Sequence, residues 1–124
     1  MQTRIKTNAE QSSMRESGRM LATVLAHLRY KVEAGMSTKD IAEIAKKELR
    51  PLGGQPTFLG YKDFPDVICV SVNDEIVHGI PRQNHILRSG DIVGLDFGVT
   101  FRGMITDAAI TVIIGEASKE VQKL

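Results

Sequence analysis

The sequence is short of cysteine and aromatic residues, and it holds no tryptophan, no block of like charge and no long apolar run. The single cysteine, Cys69, rules out an internal disulfide and fits a reducing, cytoplasmic setting. The strongly apolar runs are only a few residues long, far short of a membrane span. The first residues, Met1 to Asn8, are polar and carry no apolar stretch of signal-peptide length. The formal net charge is +1, without clustered basic residues, so electrostatics supports neither nucleic-acid binding nor a membrane-surface role. The 124 residues are 42% hydrophobic and 25% charged, which is ordinary globular composition with enough chain for one modest core.

Two amphipathic helices open the chain. From about Asn8 to Glu33, Met14, Gly18, Leu21, Leu25, Leu28 and Val32 recur at three- and four-residue steps and form one stripe. Gly35 offers a left-handed residue at the end of this helix. A second helix is expected from Ser37 or Thr38, both good N-caps, with Asp40 and Glu43 near the positive helix end. Ile41, Ile44, Ala45 and Leu49 continue its apolar rhythm until Pro51 and Gly53-Gly54 stop it.

Beyond Gln55 the texture changes to short extended segments. Val67 to Val72, Asp91 to Val99 and Met104 to Ile114 read as strands, the last two joined around Phe101-Arg102-Gly103. Ala117 to Leu124 reads as the beginning of a helix. Helices followed by antiparallel strands define an α+β class, with two helices packed on one sheet face.

Asp96 and Asp107 interrupt these last two strands, which are otherwise apolar. A two-residue loop at Phe101-Arg102 places position 96 opposite position 107, about 4.5–5.5 Å apart at Cβ; a bulge at Gly103 instead shifts the register by one. Two carboxylates that close repel each other, and a shared proton or a metal ion relieves the conflict. Gly94, Gly98 and Ala109 on the same face leave a hollow around them, and oxygen-rich hollows suit divalent ions. On spacing alone, aspartates pointing to solvent from an edge strand fit equally well. Cys69 taken alone reads as a small buried hydrophobe, Tyr61 and Phe64 as core, and a lone His78 after a strand as a surface or core histidine. His27 and His85 read as structural or solvated.

The wording around these residues resembles the bacterial and organellar methionine aminopeptidases over essentially the whole chain. The matching pieces are Ile5-Lys6-Thr7, Met14 to Arg19, Phe58-Leu59-Gly60-Tyr61, Phe64-Pro65, Cys69 to Asn73, His78-Gly79-Ile80-Pro81 and the two aspartate strands. The resemblance implies the N-terminal half of a pita-bread fold over residues 1–124, with the C-terminal half absent. It implies Asp96 and Asp107 as ligands of a centre of two divalent ions (cobalt, manganese, iron or zinc), with Asp107 bridging. It places His78 as the catalytic residue beside the scissile bond, and Phe58, Tyr61, Phe64 and Cys69, with His78, as the substrate site. The activity implied is removal of the initiator methionine from nascent chains, in the cytoplasm. The family's remaining ligands, one histidine and two glutamates, lie in a second half that this sequence does not contain. The chain alone is therefore expected to lack full activity and to need a second copy or a C-terminal fragment. The alternative is a non-catalytic pita-bread module that binds peptides or protein partners.

Overall fold

A computed structural model describes residues 4–124; the part of the polar N-terminal reading that concerns residues 1–3 lies outside the described residues. The elements run α1 (Asn8–Lys31), α2 (Thr38–Leu49), β1 (Gln55–Pro56), β2 (Ile68–Val72), β3 (Ile92–Phe101), β4 (Met104–Ile113) and α3 (Lys119–Gln122). The α+β order read from the sequence holds. The strand β1 is too short to leave a periodic signal.

Both long helices begin on reciprocal caps. Thr7 accepts the Glu10 amide while Glu10 accepts the Thr7 amide, and Ser37 and Asp40 do the same at α2. Each arrangement satisfies two of the free donors at a helix start. The α1 helix ends two residues earlier than its apolar rhythm suggested. Val32 is already extended, with its amide bonded to Leu28 O, and Gly35 at φ 93 serves the following turn. That turn is pinned from outside, since the Gly35 amide donates to Leu87 O and the Leu87 amide to Met36 O. The buried stripe of α1 is Ser17, Leu21, Val24, Leu25 and Leu28, so Ser17 and Val24 belong to it while Gly18 and Met14 lie at its margin. Ser17 tolerates burial because its hydroxyl donates to Val99 O at 2.8 Å and meets the Thr106 hydroxyl at 2.7 Å.

The sheet is centred on β3. The β4 strand pairs with it antiparallel along its whole length on one side. On the other side, β2 and β1 lie end to end, β2 against Val93 to Phe97 and β1 against Val99 and Thr100. Alternation splits β3 cleanly. Val93, Leu95, Phe97 and Val99 are fully buried against α1 and α2 with Ile41, Ala45, Leu28 and Val24. Each such side chain contributes roughly 1.5–3 kcal/mol of burial energy, which fixes the register against a one-residue slip. Gly94, Asp96 and Gly98 therefore face away from the helices, and that second face carries the candidate site. One buried charge supports the packing of α2. Asp66, 2% exposed, bonds Lys39 at 2.5 Å and the Val67 amide at 2.8 Å, with Lys46 at 3.7 Å.

Candidate metal and substrate site

The β3–β4 hairpin turns on Arg102-Gly103, not on Phe101-Arg102, so the expected register is corrected. Both loop residues have positive φ, 48° and 78°, as a tight hairpin turn matching the right-handed twist of the strands requires. Glycine supplies the second of these without strain, which selects this pair of positions over the one before it. Asp96 consequently lies opposite Ala109, and Asp107 opposite Gly98. The slip is an even one, so both carboxylates stay on the same face as diagonal neighbours. Their Cα atoms are then about 7–8 Å apart, a distance two aspartate side chains can bridge.

Bridge it they do, at an electrostatic cost. The Asp96 carboxyl is pushed up to about 6, first by burial, then by the hydrogen bond to Asp107 and by its charge, with His78 pulling the other way. Its Oδ1 is buried and, among the described residues, has no hydrogen-bond partner. A buried acceptor left unpaired is rare in folded proteins. Cys69 stands directly opposite Asp96 in β2, 4% exposed. Burial and then the Asp96 and Asp107 charges push its thiol up to about 11.

These residues line one cavity of about 480 Å³ together with Phe58, Tyr61, Lys62, Asp63, Phe64, Pro65, His78 and Ile80. Phe58 and Phe64 meet edge to face, with centroids 6.4 Å apart at 87°. Gly98 is what lets Phe58 in, because a Cβ there would lie 2.8 Å from the Phe58 ring. The hollow expected beside Gly98 is thus occupied by an aromatic wall, and the empty space is displaced toward the carboxylates. Tyr61 is 65% exposed, with the Lys62 ammonium 5.5 Å from its ring centre, and forms an outer rim. The structure therefore brings Phe58, Tyr61, Phe64, Cys69, His78, Asp96 and Asp107 together. It adds Lys62, Asp63, Pro65 and Ile80, which sequence reasoning left out. Lys62 and Asp63 adopt left-handed conformations (φ 48° and 64°) that no composition signal announces, whereas Ile80 was in view beside His78. The two other histidines stand elsewhere: His27 lies 2.7 Å from Glu48 between α1 and α2, and His85 lies beside Arg82 and Glu75.

Chemically, two carboxylates with one orphaned buried oxygen suit a divalent cation with a preference for oxygen ligands. They do not by themselves close a coordination shell. Among the described residues, no group of three or more His, Cys, Asp and Glu side chains is placed to hold an ion.

The carboxylate pair thus sits on a β-hairpin of a helix-backed sheet, next to an aromatic cavity. The chain belongs to metallopeptidase family M24, whose pattern matches residues 12–124, and the family implies divalent metal ions. It is 39% identical over 130 residues to a methionine aminopeptidase of Aquifex aeolicus and 40% identical over 119 residues to methionine aminopeptidase 1 of Bacillus subtilis. It covers 50% and 48% of those two proteins. Its fold superposes on the crystal structure of a methionine aminopeptidase from Thermotoga maritima with a TM-score of 0.95 at 34% identity, covering 49% of that chain. An X-Pro aminopeptidase from the same organism shares the fold at a TM-score of 0.79 and 22% identity. The chain spans about half the length of the curated relatives it matches, and its fold is half of the pita-bread architecture.

Proposed function

We propose that this chain supplies the N-terminal portion of a metal-dependent aminopeptidase that removes the initiator methionine from newly made polypeptides in the cytoplasm. The observation that carries the reading is the Asp96–Asp107 pair, with its orphaned Oδ1, opening into a cavity walled by Phe58 and Phe64. Asp96 and Asp107 would be ligands of a centre of two divalent ions; manganese, iron, cobalt or zinc all suit such a site. When bound, the ions supply a Lewis acid for the peptide carbonyl and an activated water. Phe58, Tyr61, Phe64 and Cys69 form an apolar, polarisable socket suited to a thioether side chain. His78, which lines the same cavity, hydrogen-bonds the substrate beside the scissile bond. The substrate is a peptide or nascent chain beginning with methionine.

Two carboxylates need further ligands, so a second portion of chain, or a second copy of this one, completes the centre. Two surfaces support such a partner. The outer edge of β4 is unpaired among the described residues, with Ile105 53% and Ile113 39% exposed. Beside it, Leu21, Leu25, Ala26, Ala108 and Ile110 line an apolar groove of about 340 Å³. No helix among the described residues is long and apolar enough to cross a membrane. The test is hydrolysis of a Met-Ala-Ser peptide by this chain with Mn²⁺ or Co²⁺, beside Asp107→Asn. Turnover lost with Asp107→Asn supports a site completed between copies. Turnover that persists in Asp107→Asn contradicts the ligand assignment. No turnover by a folded chain is the result expected of a half-site that awaits its other portion. Peptide binding that stays without turnover once a C-terminal portion of a methionine aminopeptidase is supplied favours the reading of a module that recognises peptides without catalysis.

A further inference from the structure

The segment from Ile76 to Ile80 hangs over the site with few anchors. Ile76 is 90% exposed, Val77 63% and Ile80 49%, and His78 is exposed with a left-handed backbone (φ 59°), a conformation that non-glycine residues hold only when their surroundings enforce it. Within this segment only Gly79 is buried, and it is zipped to the outer edge of β2. Its carbonyl accepts the Val70 amide at 2.9 Å. Its own amide donates to the Ser71 hydroxyl at 3.1 Å. A Cβ on Gly79 would lie 2.0 Å from Val70 O, so the approach is as close as backbone allows and only glycine fits it.

Ser71 stands on the same face of β2 as Cys69, opposite Gly94, two residues along from the residue paired with Asp96. The Val70 carbonyl also faces Gly79, but it lies against the position a Cβ would take, and the Gly79 amide goes to the hydroxyl instead. We infer that Ser71 is a positioning residue: its hydroxyl, by taking the Gly79 amide, fixes the left-handed turn that presents His78 to the cavity. The inference rests on the reading of His78 as the residue that contacts substrate. Without the hydroxyl, a buried N–H is left without a partner, and the segment either opens or draws in water. The left-handed His78 then loses what enforces it.

The experiment is NMR on this chain and on Ser71→Ala and Ser71→Thr. Ser71→Ala is expected to speed Gly79 amide exchange at least tenfold. His78 ring and backbone signals should move toward random-coil positions, while the amides linking β3 and β4 keep their protection. Ser71→Thr retains the hydroxyl and restores both signatures. A second readout is titration with Met-Ala-Ser peptide, whose perturbation of the His78 ring signals should shrink in Ser71→Ala and return in Ser71→Thr. Unchanged Gly79 exchange and His78 signals in Ser71→Ala would overturn the inference. So would a uniform loss of protection across the sheet that Ser71→Thr fails to repair, since that is a plain packing role. The two readings fail separately. If the chain is no aminopeptidase, the peptide leaves His78 undisturbed in every variant while the exchange effect persists. If Ser71 is no anchor, the peptide still perturbs His78 in Ser71→Ala.

Discussion

Replacing Asp96 by asparagine should stabilise the metal-free chain at neutral pH. The folded carboxyl titrates near 6 and its unfolded counterpart near 3.9. Because the folded value is the higher one, the native state binds more protons between those two pH values, and stability falls as pH rises through that window. About two units correspond to roughly 3 kcal/mol. The cavity is open and Asp107 is exposed, so solvent screening reduces this to about 1–2 kcal/mol. The substituted side chain would carry no charge and would offer an amide donor to Asp107, so Asp96→Asn should recover that amount at pH 7.5 and almost none at pH 4. For a domain of this size that is a rise in Tm of about 3–10 °C, readable by calorimetry or thermal circular dichroism with a chelator present. The wild-type chain should also melt higher at pH 4.5 than at pH 7.5 once its other carboxylates are accounted for, a difference that Asp96→Asn reduces. An Asp96→Asn chain that melts at or below the wild type at pH 7.5 would refute the reasoning, since it would mean that the carboxylate is held at no cost.

Cys69, with a thiol near 11, should react with iodoacetamide at pH 8 at least about a hundredfold more slowly than a free cysteine. Asp96→Asn should speed that labelling by removing one of the charges that raise the thiol. Phe97→Ala empties the centre of the core and should cost about 3–5 kcal/mol in urea unfolding. Asp66→Ala strands Lys39 and Lys46 and the Val67 amide. It should cost about 2–4 kcal/mol, less than a fully enclosed pair because both lysines are partly exposed. Ser37→Ala removes the reciprocal cap of α2 and should cost about 1 kcal/mol.

The helices and the core face of β3 were legible because they rest on periodicity, and burial enforces periodicity. The stripe through Leu21, Leu25 and Leu28, and the alternation of Val93, Leu95, Phe97 and Val99, needed no knowledge of tertiary contacts. Ser17 was not legible as a buried residue, since its partner Val99 O lies 82 positions away in sequence. The hairpin turn was misplaced by one residue because Arg102 adopts a positive φ, which its side chain does not advertise. The face shared by Asp96 and Asp107 survived that error, since a slip of two preserves alternation. Which residues gather around them came from the resemblance. The β2 edge that fixes Gly79, and the left-handed Lys62, Asp63 and His78, are backbone features without a local sequence signal.

The most direct test of the central claim, that Asp96 and Asp107 form one side of a metal centre, is a titration of the chain with Mn²⁺ followed by NMR line broadening. Signals from Gly94 to Gly98, Asp107 to Ala109, Cys69 and His78 should be lost selectively, with α1 signals intact and the effect abolished in the Asp96→Asn, Asp107→Asn double variant. Broadening centred elsewhere, or surviving unchanged in that variant, would contradict it.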